Sequence, residues 1–139
     1  MLKYLSIITI VTLILNPINP LLAKPANCKY YCEKPIEFTP GKKFNVQIIN
    51  LSSNLIEMEK VANTDVMVIN PGQIVSFKQM VDTVNNSSFV FADINNIPLQ
   101  IKIIQLDSQT LRIELHHSER KNISDRSVYI QDNGQVKVF

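Results

Sequence analysis

Few residues in this 139-residue chain are of types that do chemistry. Two cysteines stand as Cys28-Lys29-Tyr30-Tyr31-Cys32, the only two histidines are adjacent as His116-His117, and Glu57 and Glu59 sit two apart in Ile56-Glu57-Met58-Glu59-Lys60. Thiols this close read most simply as a disulfide in an oxidising compartment, with redox-active thiols or a metal-ligand pair as the other uses. Pairing sets a condition on the backbone. In an extended strand the two Cα atoms would lie about 13 Å apart, against the roughly 4.4 to 6.8 Å that a disulfide spans. A Cys28–Cys32 bridge therefore requires a turn or one helical coil, and its short loop contributes little chain entropy. C-x-x-x-C also departs from the C-x-x-C spacing of dithiol redox sites.

Adjacent residues on a strand point to opposite faces, so His116 and His117 do not readily share one metal ion. With Ser118-Glu119-Arg120-Lys121 and Asp125-Arg126 they read as a polar, solvated loop, the alternative being a weak copper or zinc site. Glu57 and Glu59 share one strand face. Paired carboxylates serve as acid and base or hold a divalent cation. No His, Asp or Gly-rich loop joins them, so the reading is a solvated face opposite Ile56, Met58 and Lys60. Gly41, Gly72 and Gly134 all sit in turn contexts, and none flanks a serine as in an acyl-transfer elbow or forms a phosphate cradle. The expectation is a non-enzymatic protein with no catalytic residues and no cofactor.

The elements that carry these residues begin with an export signal. Lys3 precedes an apolar run from Tyr4 to Leu15, Pro17 and Pro20 break it, and Ala23 offers a small residue at a cleavage point before Lys24. The alternative is an uncleaved anchor, for which the apolar run is short of the roughly 20 residues that a membrane span needs. Pro25-Ala26-Asn27 ahead of Cys28 is not the small-residue context of lipid attachment. The chain thus divides into a signal peptide (1–23), a cysteine-containing lead-in (24–35) and one domain (36–139), placed in the periplasm or outside the cell. Removing 23 residues leaves 116, with thirteen basic against twelve acidic residues, so no strongly charged partner is implied. No basic block interleaved with aromatics is present, which excludes nucleic acid as the expected partner.

In the mature chain the dominant period is two. Phe44, Val46 and Ile48 alternate with Lys43, Asn45 and Gln47, and Leu111, Ile113 and Leu115 alternate with Arg112 and Glu114. Turn signals at Pro40-Gly41, Asn54, Pro71-Gly72, Asn85-Asn86, Asn95-Asn96, Asp107-Ser108 and Asn133-Gly134 separate the segments. The expected fold is all-β: a single antiparallel β-sandwich, or a small barrel, of about 8–9 short strands. Helix is at most one turn outside the signal peptide, near the N-terminus or around Lys78 to Val84. A hairpin around Asn133-Gly134 closes the chain.

The phrase "FTPGKKFNV" (Phe38 to Val46) is written again as "INPGQIVSF" (Ile69 to Phe77). Pro fixes φ at the second turn position and Gly accepts the positive φ that follows, so each copy delivers the chain into a core strand. The halves do not otherwise repeat. "TPGKKFNVQIIN" resembles the early strands of exported cupredoxin-like and immunoglobulin-like sandwiches over residues 36–80. The resemblance implies their fold class. It does not bring the copper site, which needs two separated His, a Cys and usually a Met; here the histidines are adjacent and no Cys accompanies them.

Two features offer a contact surface: Tyr30-Tyr31 beside the cysteines, and "SSFVFADINNIPLQIKIIQL", where Phe89, Val90 and Phe91 put apolar residues on both faces. The alternative for both is core packing. Three functions follow as hypotheses. The first is a small exported binding or structural accessory of the cell envelope whose partner is an envelope protein or glycan, with membrane contact only through an uncleaved N-terminal segment. The second is a copper- or zinc-handling protein using His116, His117, the cysteines or Met58, Met67 and Met80. The third is a small hydrolase with a pocket that the linear pattern hides. Asn-x-Ser sites at Asn50, Asn85, Asn86 and Asn122 matter only where the host glycosylates.

Overall fold

The computed structural model describes residues 34–61, 65–81, 87–120 and 123–139. The expected signal peptide, Tyr30, Tyr31 and the Cys28–Cys32 pairing lie outside the described residues. Alternating apolar and polar residues produce nine strands and, among the described residues, no helix: β1 (Lys43–Asn50), β2 (Ile56–Lys60), β3 (Val66–Ile69), β4 (Ile74–Met80), β5 (Ser87–Asp93), β6 (Leu99–Asp107), β7 (Thr110–His117), β8 (Ser127–Ile130) and β9 (Val136–Val138). Lys78 to Met80, where a helical turn was one expectation, belong to β4.

The strands form two sheets, β4-β1-β7-β6 and β3-β2-β5-β8-β9. Neither closes on itself, so the barrel alternative does not hold. The expectation of purely antiparallel pairing also needs correction: β1 and β7 run parallel, with Val46 opposite Leu111 and Ile48 opposite Ile113. Between them the chain visits both sheets, and β7 arrives from the end at which β1 began. A period of two reports which face a residue occupies and carries no information on strand direction.

One core draws from both sheets. Phe44, Val46 and Ile48 of β1, Leu111, Ile113 and Leu115 of β7, Ile56 of β2, and Phe89 and Phe91 of β5 are all buried in a single cluster. Each such side chain contributes about 1.5–3 kcal/mol by leaving water, against the entropy of fixing the chain. Side chains also meet across the sheets. The Phe77 ring of β4 lies 5.3 Å from that of Phe89, and Gln79 Nε2 donates to Ser87 Oγ at 2.6 Å.

The repeated phrase marks the two ends of one strand pair. Gly41 and Gly72 both have φ +74, and each turn closes with the same hydrogen bond, Lys42 N–H to Thr39 O at 3.1 Å and Gln73 N–H to Asn70 O at 3.0 Å. β1 and β4 are antiparallel. Gly41 N–H therefore reaches Val81 O, beyond the end of β4, and Gly72 N–H reaches Asn50 O at the end of β1. Each Pro-Gly turn caps the other's strand.

Residues Ile36 to Phe38, at the start of the domain, occupy the margin beside β9 and β6. Val136 N–H donates to Ile36 O and Phe38 N–H to Gly134 O, both at 2.9 Å, while the Phe38 ring stacks on Phe44 at 4.3 Å. Gly134 is required there twice over. Its φ is +87, and a Cβ on it would lie 1.7 Å from the Phe38 carbonyl oxygen.

Candidate functional site

Two places bring polar or accessible groups together. The first lies where β1, β5 and β7 end. Asn50 continues the inward phase of Val46 and Ile48, Asp93 that of Phe89 and Phe91, and His117 that of Ile113 and Leu115. A polar residue on an apolar face must find partners at once, and these do. The Asp93 side chain is fully buried. It accepts hydrogen bonds from Asn95 N–H at 2.7 Å, Asn54 Nδ2 at 3.0 Å and Ile97 N–H at 3.4 Å, and it meets His117 Nε2 at 3.2 Å. The turn that returns Asn95 to the carboxylate is completed by Asn96 at φ 56, a left-handed conformation that asparagine tolerates. Burial pushes the Asp93 pKa up, but the bonds from Asn95, Asn54, His117 and Ile97 outweigh it and hold the carboxyl below its ordinary 3.8.

Asn50 extends the cluster. Its Nδ2 donates to Asn54 O at 2.7 Å and Ile69 O at 2.9 Å, and its Oδ1 accepts from Ser52 N–H and Oγ. Asn50 is fully buried, which removes it as a glycan acceptor in the folded protein. An Asp–His pair is half of a nucleophile-activating system. Among the described residues no hydroxyl bonds to the His117 ring: Ser124 Oγ accepts from Leu99 N–H and Ser52 Oγ is held by Asn50. A cavity of about 150 Å³ adjoins Asp93, bounded also by Asn96, Ser124 and Arg126, and His117 does not line it. The cluster thus joins β5 to β7 across the two sheets and stiffens that end of the molecule.

The second place is a groove of about 610 Å³ between β4 and the β2–β3 edge. Met58, Val66, Met67, Val68 and Phe77 give it an apolar lining, with Lys60, Lys78 and Asp65 around them. Met58 and Met67 stand directly opposite each other on β2 and β3. Lys60 Nζ sits 6.0 Å from the centre of the Phe77 ring. All three residues Val66, Met67 and Val68 are exposed.

Phe89 and Phe91 are core residues, 0 % and 2 % exposed, and so form no contact surface; their shared phase aims both at the interior of the five-stranded sheet. His116 and His117 lie on β7 rather than in a loop, and on opposite faces: His116 Nε2 meets Glu114 at 3.2 Å on the outside, His117 meets Asp93 within. Glu57 and Glu59 are exposed on one face. Of the three methionines, Met58 and Met67 meet in the groove and Met80 does not line it. No group of three or more His, Cys, Asp or Glu side chains converges as metal ligands among the described residues. Asp93, Asn50 and the two groove lysines were missed by sequence reasoning. For the first two a signal existed, a polar residue in phase with an apolar strand face. No family model, curated protein or solved structure matches the chain.

Proposed function

We propose that this chain is a small exported β-sandwich that works by binding, a non-enzymatic accessory of the cell envelope, and that it binds through the groove between β3 and β4. Packing of the two sheets as a sandwich is supported by the shared core and by the cross-sheet contacts of Phe77 with Phe89 and of His117 with Asp93. Export is supported by Lys3, the apolar run to Leu15 and the small Ala23, and an oxidising destination suits a Cys28–Cys32 disulfide. The observation that carries the binding role is the groove itself: apolar side chains, accessible rather than covered, beside a sheet edge. The test is a photoactivatable residue at Val68 in the native host. A discrete adduct there, and none from the same residue at Lys137 on β9, is the expected result. Adducts at neither position contradict the reading.

One observation favours a second reading, soft-metal handling: the facing thioethers of Met58 and Met67. Stoichiometric copper in protein recovered from its host, lost on Met67→Leu, would put that reading first.

A further inference from the structure

We propose that the occupant of the groove is an extended peptide strand, apolar along its length, that adds to the free edge of β3 and places a carboxylate between Lys60 and Lys78. The inference rests on the groove being the binding site. Among the described residues β3 pairs only with β2. Sheet edges are ordinarily guarded by lysine, proline, a bulge, shortness or a covering segment. β4 carries Lys78, β6 carries Lys102 and a register shift between Gln105 and Asp107, and β9 has three residues and is bonded to Ile36. β3 reads Val66-Met67-Val68-Ile69, with neither charge nor proline.

Its side chains also choose between occupants. Val66 (56 % exposed) and Val68 (47 %) stand on one face of β3, Met67 (43 %) on the other. An amphiphile lying in the groove would touch Met67 and both valines but leave the N–H and C=O groups along the β3 edge unpaired. A strand paired with β3 covers both faces, because its own side chains alternate.

Charge then sets the polarity of that strand. Glu59 pairs with Val66, so Lys60 stands at the end where β3 begins, and Lys78 of β4 also lines the groove. Neither lysine forms an ion pair among the described residues, and the one carboxylate lining the groove is Asp65. The excess positive charge calls for an anionic group on the occupant. A second copy of the chain does not supply it. Two-fold pairing of β3 with β3 is antiparallel and would set the lysine end of one copy against Ile69, Asn70 and Gln73 of the other, where no acid stands.

The test uses the full chain and three labelled ten-residue peptides read by fluorescence anisotropy, with sodium laurate in parallel. The peptides alternate alanine and valine: one ends in two glutamates, one in two lysines, and one is the acidic peptide with proline at its centre. The proposal expects the acidic peptide to bind at least ten-fold tighter than the other two, and Lys60→Glu with Lys78→Glu to invert the preference between glutamate and lysine. Equal binding of all three, or none, overturns it. So does laurate binding in place of peptide, or a concentration-dependent dimer abolished by Val68→Lys. An adduct at Val68 without preference for the acidic peptide removes the strand proposal and leaves the groove as the binding site; no adduct removes both.

Discussion

The two margins of this molecule are built from similar strands and finished differently. On one, residues Ile36 to Phe38 bond to Gly134 and to Val136 at the start of β9, and stack Phe38 on Phe44, so that edge is occupied there. On the other, β3 and β4 end without a covering segment among the described residues, and Val66, Met67 and Val68 stay in contact with water. The closed margin shows what this fold does with an edge that only has to be stable. An exposed apolar edge gains nothing in stability and invites association. The open edge at β3 is the side that the proposed binding role uses.

Substitutions break this comparison in a definite order. Gly134→Ala acts on the closed margin, where a Cβ meets the Phe38 carbonyl at φ +87. It should cost about 3–5 kcal/mol in denaturant unfolding, enough to leave much of the protein unfolded. Asp93→Ala, at the tie between β5 and β7, should cost about 1–3 kcal/mol, because the partly buried Asn95 and Asn54 donors lose their acceptor.

Acid should act on the same tie. The Asp93 carboxyl titrates below 3.8 in the folded chain, so its contribution is fully present above the unfolded value and is lost as pH falls through the lowered folded one. Thermal midpoints of the wild type should drop from about pH 4 downward, and those of Asp93→Asn should drop less steeply. On the open margin, Val68→Thr should change stability by no more than about 0.5 kcal/mol while weakening peptide binding. A large loss of stability there would show that the open edge is structural after all.

Much of the fold was legible because its signals are local. Strand positions follow from the alternation of Phe44, Val46 and Ile48 and of Leu111, Ile113 and Leu115, and the Pro-Gly turns and the Asn133-Gly134 hairpin follow from what proline and glycine allow. The parallel pairing of β1 with β7 was not legible, since direction depends on the path taken by the intervening chain. Phe89 and Phe91 read as a surface in the sequence because the adjacent Val90 makes the segment apolar on both faces. Val90 alone faces water; the two rings share the opposite face, and the fold buries it. The groove is the least legible feature. It depends on β3 and β4 belonging to different sheets, and no spacing between Lys60 and Lys78 reveals that.

Amide hydrogen exchange of the full chain, with and without the acidic peptide, reads both margins in one experiment. Val66–Ile69 should exchange faster than Val136–Val138 in the free protein, and the peptide should protect Val66–Ile69 and the facing part of β4 alone. Protection at Leu99–Asp107 or Val136–Val138, or a β3 already as protected as the closed margin and unchanged by peptide, would contradict the proposed binding at β3.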